Sequence, residues 1–137
     1  MDFIGWRNEY SVGNEEIDNQ HKKIFKLINE LYEAFVTKKN DLSTDEVLAE
    51  LRDYSINHFK MEEKMFEKYN YAYKVEHKKE HESFINTVDN IIEESKGNKK
   101  LLSMKLTNFL QKWLVNHILE EDMKYRVMFN TATEINN

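Results

Sequence analysis

Residues 17–35 read IDNQHKKIFKLINELYEAF, and Ile17, Ile24, Ile28, Leu31 and Phe35 recur at spacings of four and three, with His21 filling the one missing place. That period is the signature of a helix with one buried face. His21 is therefore expected in the core. Working outward, residues 40–43 (Asn-Asp-Leu-Ser) break the pattern, and Ser43 or Thr44 is placed to cap a second helix whose early Asp45 and Glu46 suit its dipole. On that helix Leu48, Leu51, Ser55, His58, Glu62, Met65 and Tyr69 form one stripe, so a histidine and a carboxylate one turn apart take the place of two hydrophobes.

The register lapses around Tyr69-Asn70-Tyr71. A third stripe then runs through His77, His81, Phe84, Val88 and Ile91 until Lys96-Gly97-Asn98, where glycine fits the C′ position of a helix end. The fourth helix, from about 100 to 128, carries Leu106, Leu110, Trp113, Leu114, His117, Ile118 and Tyr125 inward. Short turns between long amphipathic helices make neighbours antiparallel. The expected fold is all-α, an up-down-up-down four-helix bundle over residues 17–128. An N-terminal arm, residues 1–16 with Trp6 and Val12, is expected to pack across it, and residues 129–137 form a tail.

Composition agrees. The chain has 137 residues, 40% of them hydrophobic, with no proline and three glycines, which fits one helical domain and leaves little punctuation for a strand-rich fold. The net charge of −5 is spread without a basic stripe, arguing against nucleic acid. With no cysteine, thiolate metal sites, iron–sulfur clusters and disulfides are excluded. No apolar run approaches bilayer length and no signal-peptide pattern opens the chain, so a cytoplasmic protein is expected. Neither a membrane nor a nucleic acid is an expected partner, and the chain is expected to be a monomer or weak homo-oligomer.

All five histidines thus fall on inward faces, and Glu62 and Asp122 are placed to join them. Singly, each is an ordinary buried or helix-surface residue. Jointly they are not, because burying so many ionisable groups costs several kcal/mol each unless something compensates them. A metal does so, and five nitrogens with two carboxylates and no sulfur suit iron, zinc, manganese or copper. Seven ligands are too many for one ion. Two octahedral ions sharing two carboxylates and one solvent-derived oxygen, with five histidines completing the set, leave a single position vacant.

Ile17-Asp18-x-Gln20-His21, His58-Phe59-x-x-Glu62-Glu63, His77-x3-His81 and Trp113-Leu114-x-x-His117-Ile118-x3-Asp122 together resemble the hemerythrins, over nearly the whole chain. Trp6 followed by Ser11-Val12-Gly13 looks like the arm of the bacterial single-domain members. The resemblance implies two iron ions: His77, His81 and His117 on a six-coordinate iron, His21 and His58 on a five-coordinate one, with Glu62, Asp122 and an oxo or hydroxo group bridging. It also implies dioxygen as partner, bound reversibly as hydroperoxide at the open position, for oxygen storage, transport, scavenging or sensing. Ile24, Phe59, Trp113, Leu114 and Ile118, each within about a turn of the ligands, are the candidates for an apolar oxygen pocket. The expected protein binds oxygen and is not an enzyme, since no histidine is left over as an acid or base. The alternative is a di-iron enzyme that reduces or activates dioxygen, peroxide or nitric oxide.

One point strains helix geometry. At about 100° per residue, Asp122 lies about 140° around the helix from His117, whereas Glu121 lies within about 40°. Glu121 therefore competes with Asp122 as the bridge. The resemblance points to Asp122, so either a local widening of the fourth helix, a π-type turn, or a site reached from the flank of the stripe is expected.

Overall fold

The computed structural model describes residues 3–37 and 41–125. Four helices follow one another: α1 (Glu15–Val36), α2 (Asp41–Tyr69), α3 (Lys74–Glu94) and α4 (Lys99–Asn116). A six-residue π-helix, His117–Asp122, continues α4. Each helix packs on its two ring neighbours, α1 on α2, α2 on α3, α3 on α4 and α4 on α1, as an antiparallel bundle requires. Among the described residues there is no strand. None of their helices is long and apolar enough to cross a membrane.

Local chemistry sets the helix ends. Asn14 accepts from the Ile17 amide at 3.0 Å, so α1 starts at Glu15, two residues before the apolar stripe, with Glu15, Glu16 and Asp18 on its positive end. The start of α2 at Asp41 places positions 43 and 44, expected just before the helix, inside its first turn. At its other end Asn70 takes a positive φ of 51°, and the Tyr71 amide reaches back to the Phe66 carbonyl at 2.9 Å, the six-to-one bond of a Schellman motif. Helix α3 is capped by Ser95, so Gly97, at φ 79°, stands one residue past the expected C′ position. Asn98 then caps α4, accepting from the Leu101 amide at 3.0 Å.

The arm is fastened at two points. The Ile4 backbone exchanges two hydrogen bonds of 2.8 Å with the Asn29 side chain, and Asp18 accepts from the Ser11 hydroxyl at 2.5 Å and the Val12 amide at 2.9 Å. Trp6 and Tyr10 meet Phe25 edge-on, each with ring centroids 5.7 Å apart.

The buried faces largely follow the stripes, with drift at their ends. Ala34 is buried where Phe35 was expected, and Phe35 is half-buried. On α2, Phe66 is fully enclosed while Met65 is half-buried and Tyr69 exposed. A strict four-three repeat loses phase against 3.6 residues per turn, so the far end of a long stripe shifts by one residue. Trp113 is also only half-buried. The proposed end of the fourth helix at 128 and the tail at 129–137 lie outside the described residues.

Two apolar clusters result. The larger includes Ile24, Phe59, Leu114 and Ile118, the smaller Val12, Ile17, Phe66, Tyr71 and Tyr125. His21 on α1, Glu62 on α2 and Asp122 in the π-helix each stand between members of the two, so the ionisable groups form a layer between dry layers.

Candidate metal centre

His21 comes from α1, His58 and Glu62 from successive turns of α2, His77 and His81 from successive turns of α3, and His117 and Asp122 from the two ends of the π-helix. All seven are buried, none more than 5% exposed. Asp122 Oδ1 lies 2.9 Å from His77 Nε2 and 3.0 Å from His117 Nε2, and its Oδ2 lies 3.2 Å from His21 Nε2. Glu62 Oε1 lies 3.1 Å from His58 Nε2 and 3.3 Å from His81 Nε2.

The π-helix resolves the choice of inward carboxylate. Its hydrogen bonds run from residue i+5 to residue i, so His117 and Asp122 face the same way. Asp122 is fully enclosed, whereas Glu121 turns outward to Lys124, 3.4 Å away.

Close as they are, these atoms are not aligned as hydrogen-bonded pairs. Glu62 Oε1, both Asp122 oxygens and the Nε2 atoms of His77, His81 and His117 are buried without a hydrogen-bond partner. Such groups are rare in folded proteins and require compensation. Glu62 groups with His77, His81 and His117 as one set of possible ligands, and with His21 and His58 as a second; Glu62 belongs to both. Asp122 touches histidines of both sets. The donor set of imidazole nitrogens and carboxylate oxygens fits a pair of transition-metal ions.

The electrostatics are those of anions buried with partners. Burial and the Asp122 charge oppose ionisation of Glu62, yet His58 and His81 hold its carboxyl well below the usual range. Burial likewise opposes ionisation of Asp122, and His117, His21 and His77 hold it well below. Burial would lower His117, but Asp122 foremost, with Glu62 and Glu80, raises it above its ordinary value.

Three residues support the ligands in roles that the sequence did not assign to them. Gln20 Oε1 accepts from His58 Nδ1 at 2.5 Å, and Glu63 accepts from His81 Nδ1 at 2.9 Å. Each acceptor holds the proton on Nδ1, leaving the Nε2 lone pair free for a cation. Tyr125 donates its hydroxyl to Glu62 Oε2. Burial above all, then the Asp122 and Glu62 charges, pushes that phenol well above its ordinary value, so it remains a donor. Gln20 and Glu63 stand in the motifs that carry the resemblance, each beside a candidate ligand, and that placement was the signal for them.

A small cavity adjoins the cluster, with about 10 Å³ of free space, the scale of one water-sized occupant. Its walls include Ile24, Phe59, Trp113 and Leu114 together with His21 and His58. Ile118, expected there, does not line it: one residue past His117 its side chain points elsewhere, into the apolar cluster, fully buried. Ile28, Leu51, Ser55, Phe84 and Leu110 complete the apolar end.

A helical bundle whose interior gathers histidines and carboxylates around two adjoining ligand sets defines a class of cation-binding four-helix proteins. Residues 12–128 match the model of the hemerythrin HHE cation-binding domain. The chain belongs to the hemerythrin family. It is 36% identical over 123 residues to a hemerythrin-like protein of Naegleria gruberi, covering 90% of this chain and 91% of that one. It is 32% identical over 125 residues to the bacteriohemerythrin of Clostridium acetobutylicum, covering 88% and 96%. A wild-type hemerythrin crystal structure superposes with a TM-score of 0.81 at 31% identity, covering 90% of this chain and 95% of that one.

Proposed function

We propose that this protein is a non-haem di-iron protein that binds dioxygen reversibly, for oxygen storage, transport, scavenging or sensing. In this reading His77, His81 and His117 hold one iron, His21 and His58 hold the other, and Glu62 and Asp122 bridge them with an oxo or hydroxo group. When bound, two ferrous ions supply the pair of electrons that dioxygen needs to be held in reduced form. The observation carrying the proposal is the convergence of buried histidines in two sets that share Glu62, whose Oε1 and the Nε2 atoms of His77, His81 and His117 have no hydrogen-bond partner.

The chain's own residues do the rest. Gln20 and Glu63 fix the tautomers of His58 and His81, Tyr125 orients Glu62, and Ile24, Phe59, Trp113 and Leu114 keep the ligand cavity apolar. Exclusion of water favours retention of a bound gas over its loss as a protonated product. Binding is favoured over catalysis because the space beside the ligand cluster is small and walled mainly by apolar side chains.

The test is direct. The protein reconstituted with iron, reduced and exposed to oxygen is expected to carry two irons per chain, to develop a ligand-to-iron charge-transfer band, and to lose it under vacuum. Irreversible oxidation in one exposure, or iron binding below two per chain, would refute the reading.

A further inference from the structure

Away from the ligand cluster the cavity walls are apolar except at one point. Ser55, on the turn of α2 before His58, is 1% exposed and lines it, and its Oγ has no hydrogen-bond partner. A serine within a helix ordinarily settles its hydroxyl on the carbonyl four residues earlier. This protein uses that bond elsewhere: Thr107 donates to the Ser103 carbonyl at 2.6 Å and Thr37 to the Glu33 carbonyl at 2.8 Å. Ser55 does not make it. A buried hydroxyl without a partner is destabilising, and its presence in a native interior calls for an occupant.

The placement says which occupant. Ser55 precedes His58 by three residues, about 4.5 Å along the helix axis, so its hydroxyl overlooks the His58 side of the cluster. The cavity walls include His21, His58, His117 and Asp122 but neither His77 nor His81, so the space opens toward the two-histidine set. Any molecule lying there has apolar walls at Ile24, Ile28, Leu51, Phe59 and Leu110, and Ser55 as the polar group away from the ligand cluster.

We propose that the Ser55 hydroxyl is the hydrogen-bond donor of this cavity, donating to the outer atom of a small ligand held on the His21–His58 side, either dioxygen or a linear anion of the azide class. The role rests on the di-iron reading above. It makes Ser55 a determinant of ligand affinity without making it a metal ligand, and it explains why the stripe of α2 carries a serine between Leu51 and His58.

The test uses the diferric protein and azide, read by titration and by infrared spectroscopy in light and heavy water. Wild type is expected to show an azide stretch that shifts between the two solvents. Ser55→Ala should load the same two irons, lose the solvent shift and bind azide about tenfold more weakly, as removal of one hydrogen bond to a charged acceptor implies. Ser55→Thr should restore both within about twofold. The metal-free proteins give an independent reading: Ser55→Ala should melt at the wild-type temperature or above it, because no partner is lost. Unchanged azide affinity and stretch in a fully loaded Ser55→Ala protein would overturn the proposal, and so would a metal-free variant melting several degrees below wild type. A wild type that takes up no iron pair would instead overturn the di-iron reading and this role with it.

Discussion

Replacing Tyr125 by phenylalanine removes the hydrogen bond that its hydroxyl gives Glu62 in the buried polar layer. The ring makes edge or tilted contacts with Phe66 at 5.5 Å and with His77 at 5.7 Å, and phenylalanine retains both. Burial is thus nearly unchanged, and the difference reduces to the hydroxyl. Its acceptor, Glu62 Oε2, belongs to a fully buried carboxylate held ionised by His58 and His81. A hydrogen bond to a charged group contributes about 1.5–3 kcal/mol. In a domain of this size about 1 kcal/mol moves the melting midpoint by about 3–5 °C, so the metal-free Tyr125→Phe protein should melt about 5–15 °C lower. Circular dichroism after chelation reads the midpoint. A double-mutant cycle with Glu62→Gln should return a coupling of about 1.5–3 kcal/mol, which separates this bond from any other consequence of removing the hydroxyl. In the iron-loaded protein the cations compensate Glu62 and the effect should shrink. A metal-free midpoint within about 1 °C of wild type, with no coupling, would refute the claim that Tyr125 stabilises Glu62.

Two further outcomes follow from the same geometry. Asp122→Asn should reduce iron content below two per chain by elemental analysis, while Glu121→Gln, whose side chain faces Lys124, should retain both irons; the reverse result would show that the π-helix does not select the bridging carboxylate. The metal-free protein should also lose stability as pH rises above about 6.5, the ordinary histidine value, because His117 is held above it: its contribution is complete below that value and vanishes as pH climbs through the folded one. Glu62 and Asp122 act oppositely, their contribution being present above ordinary carboxyl values and lost only well into the acid range. Denaturant titrations between pH 6 and 9 with chelator present would contradict this if stability increased with pH.

The helices were legible because each buries one continuous stripe, and all five predicted inward residues of α3 are buried. What drifted was phase. Met65 and Tyr69 lie far enough along α2 for an error of about a tenth of a residue per turn to accumulate to about half a residue, and Phe66 took the buried place. The gathered histidines were legible for a different reason: ionisable residues had replaced hydrophobes on buried faces. Gln20, Glu63 and Tyr125 were not, because their roles depend on which helix lies opposite, and spacing within one helix carries no such information. Ser55 stood on the stripe in plain view. Only the missing bond to its own helix, which no sequence displays, distinguishes it from a serine in ordinary packing.

The wide turn at His117–Asp122 reaches further than Asp122. In an uninterrupted α-helix Tyr125 would sit about 80° around from His117; with one residue absorbed by the π-helix the angle falls to about 20°. The single extra residue therefore aligns two side chains at once, the carboxylate that faces the histidines and the phenol that reaches Glu62 from below. An engineer transplanting this centre into an idealised bundle could copy every ligand faithfully and still point both of them at the wrong neighbour. The surplus residue has to travel with the graft.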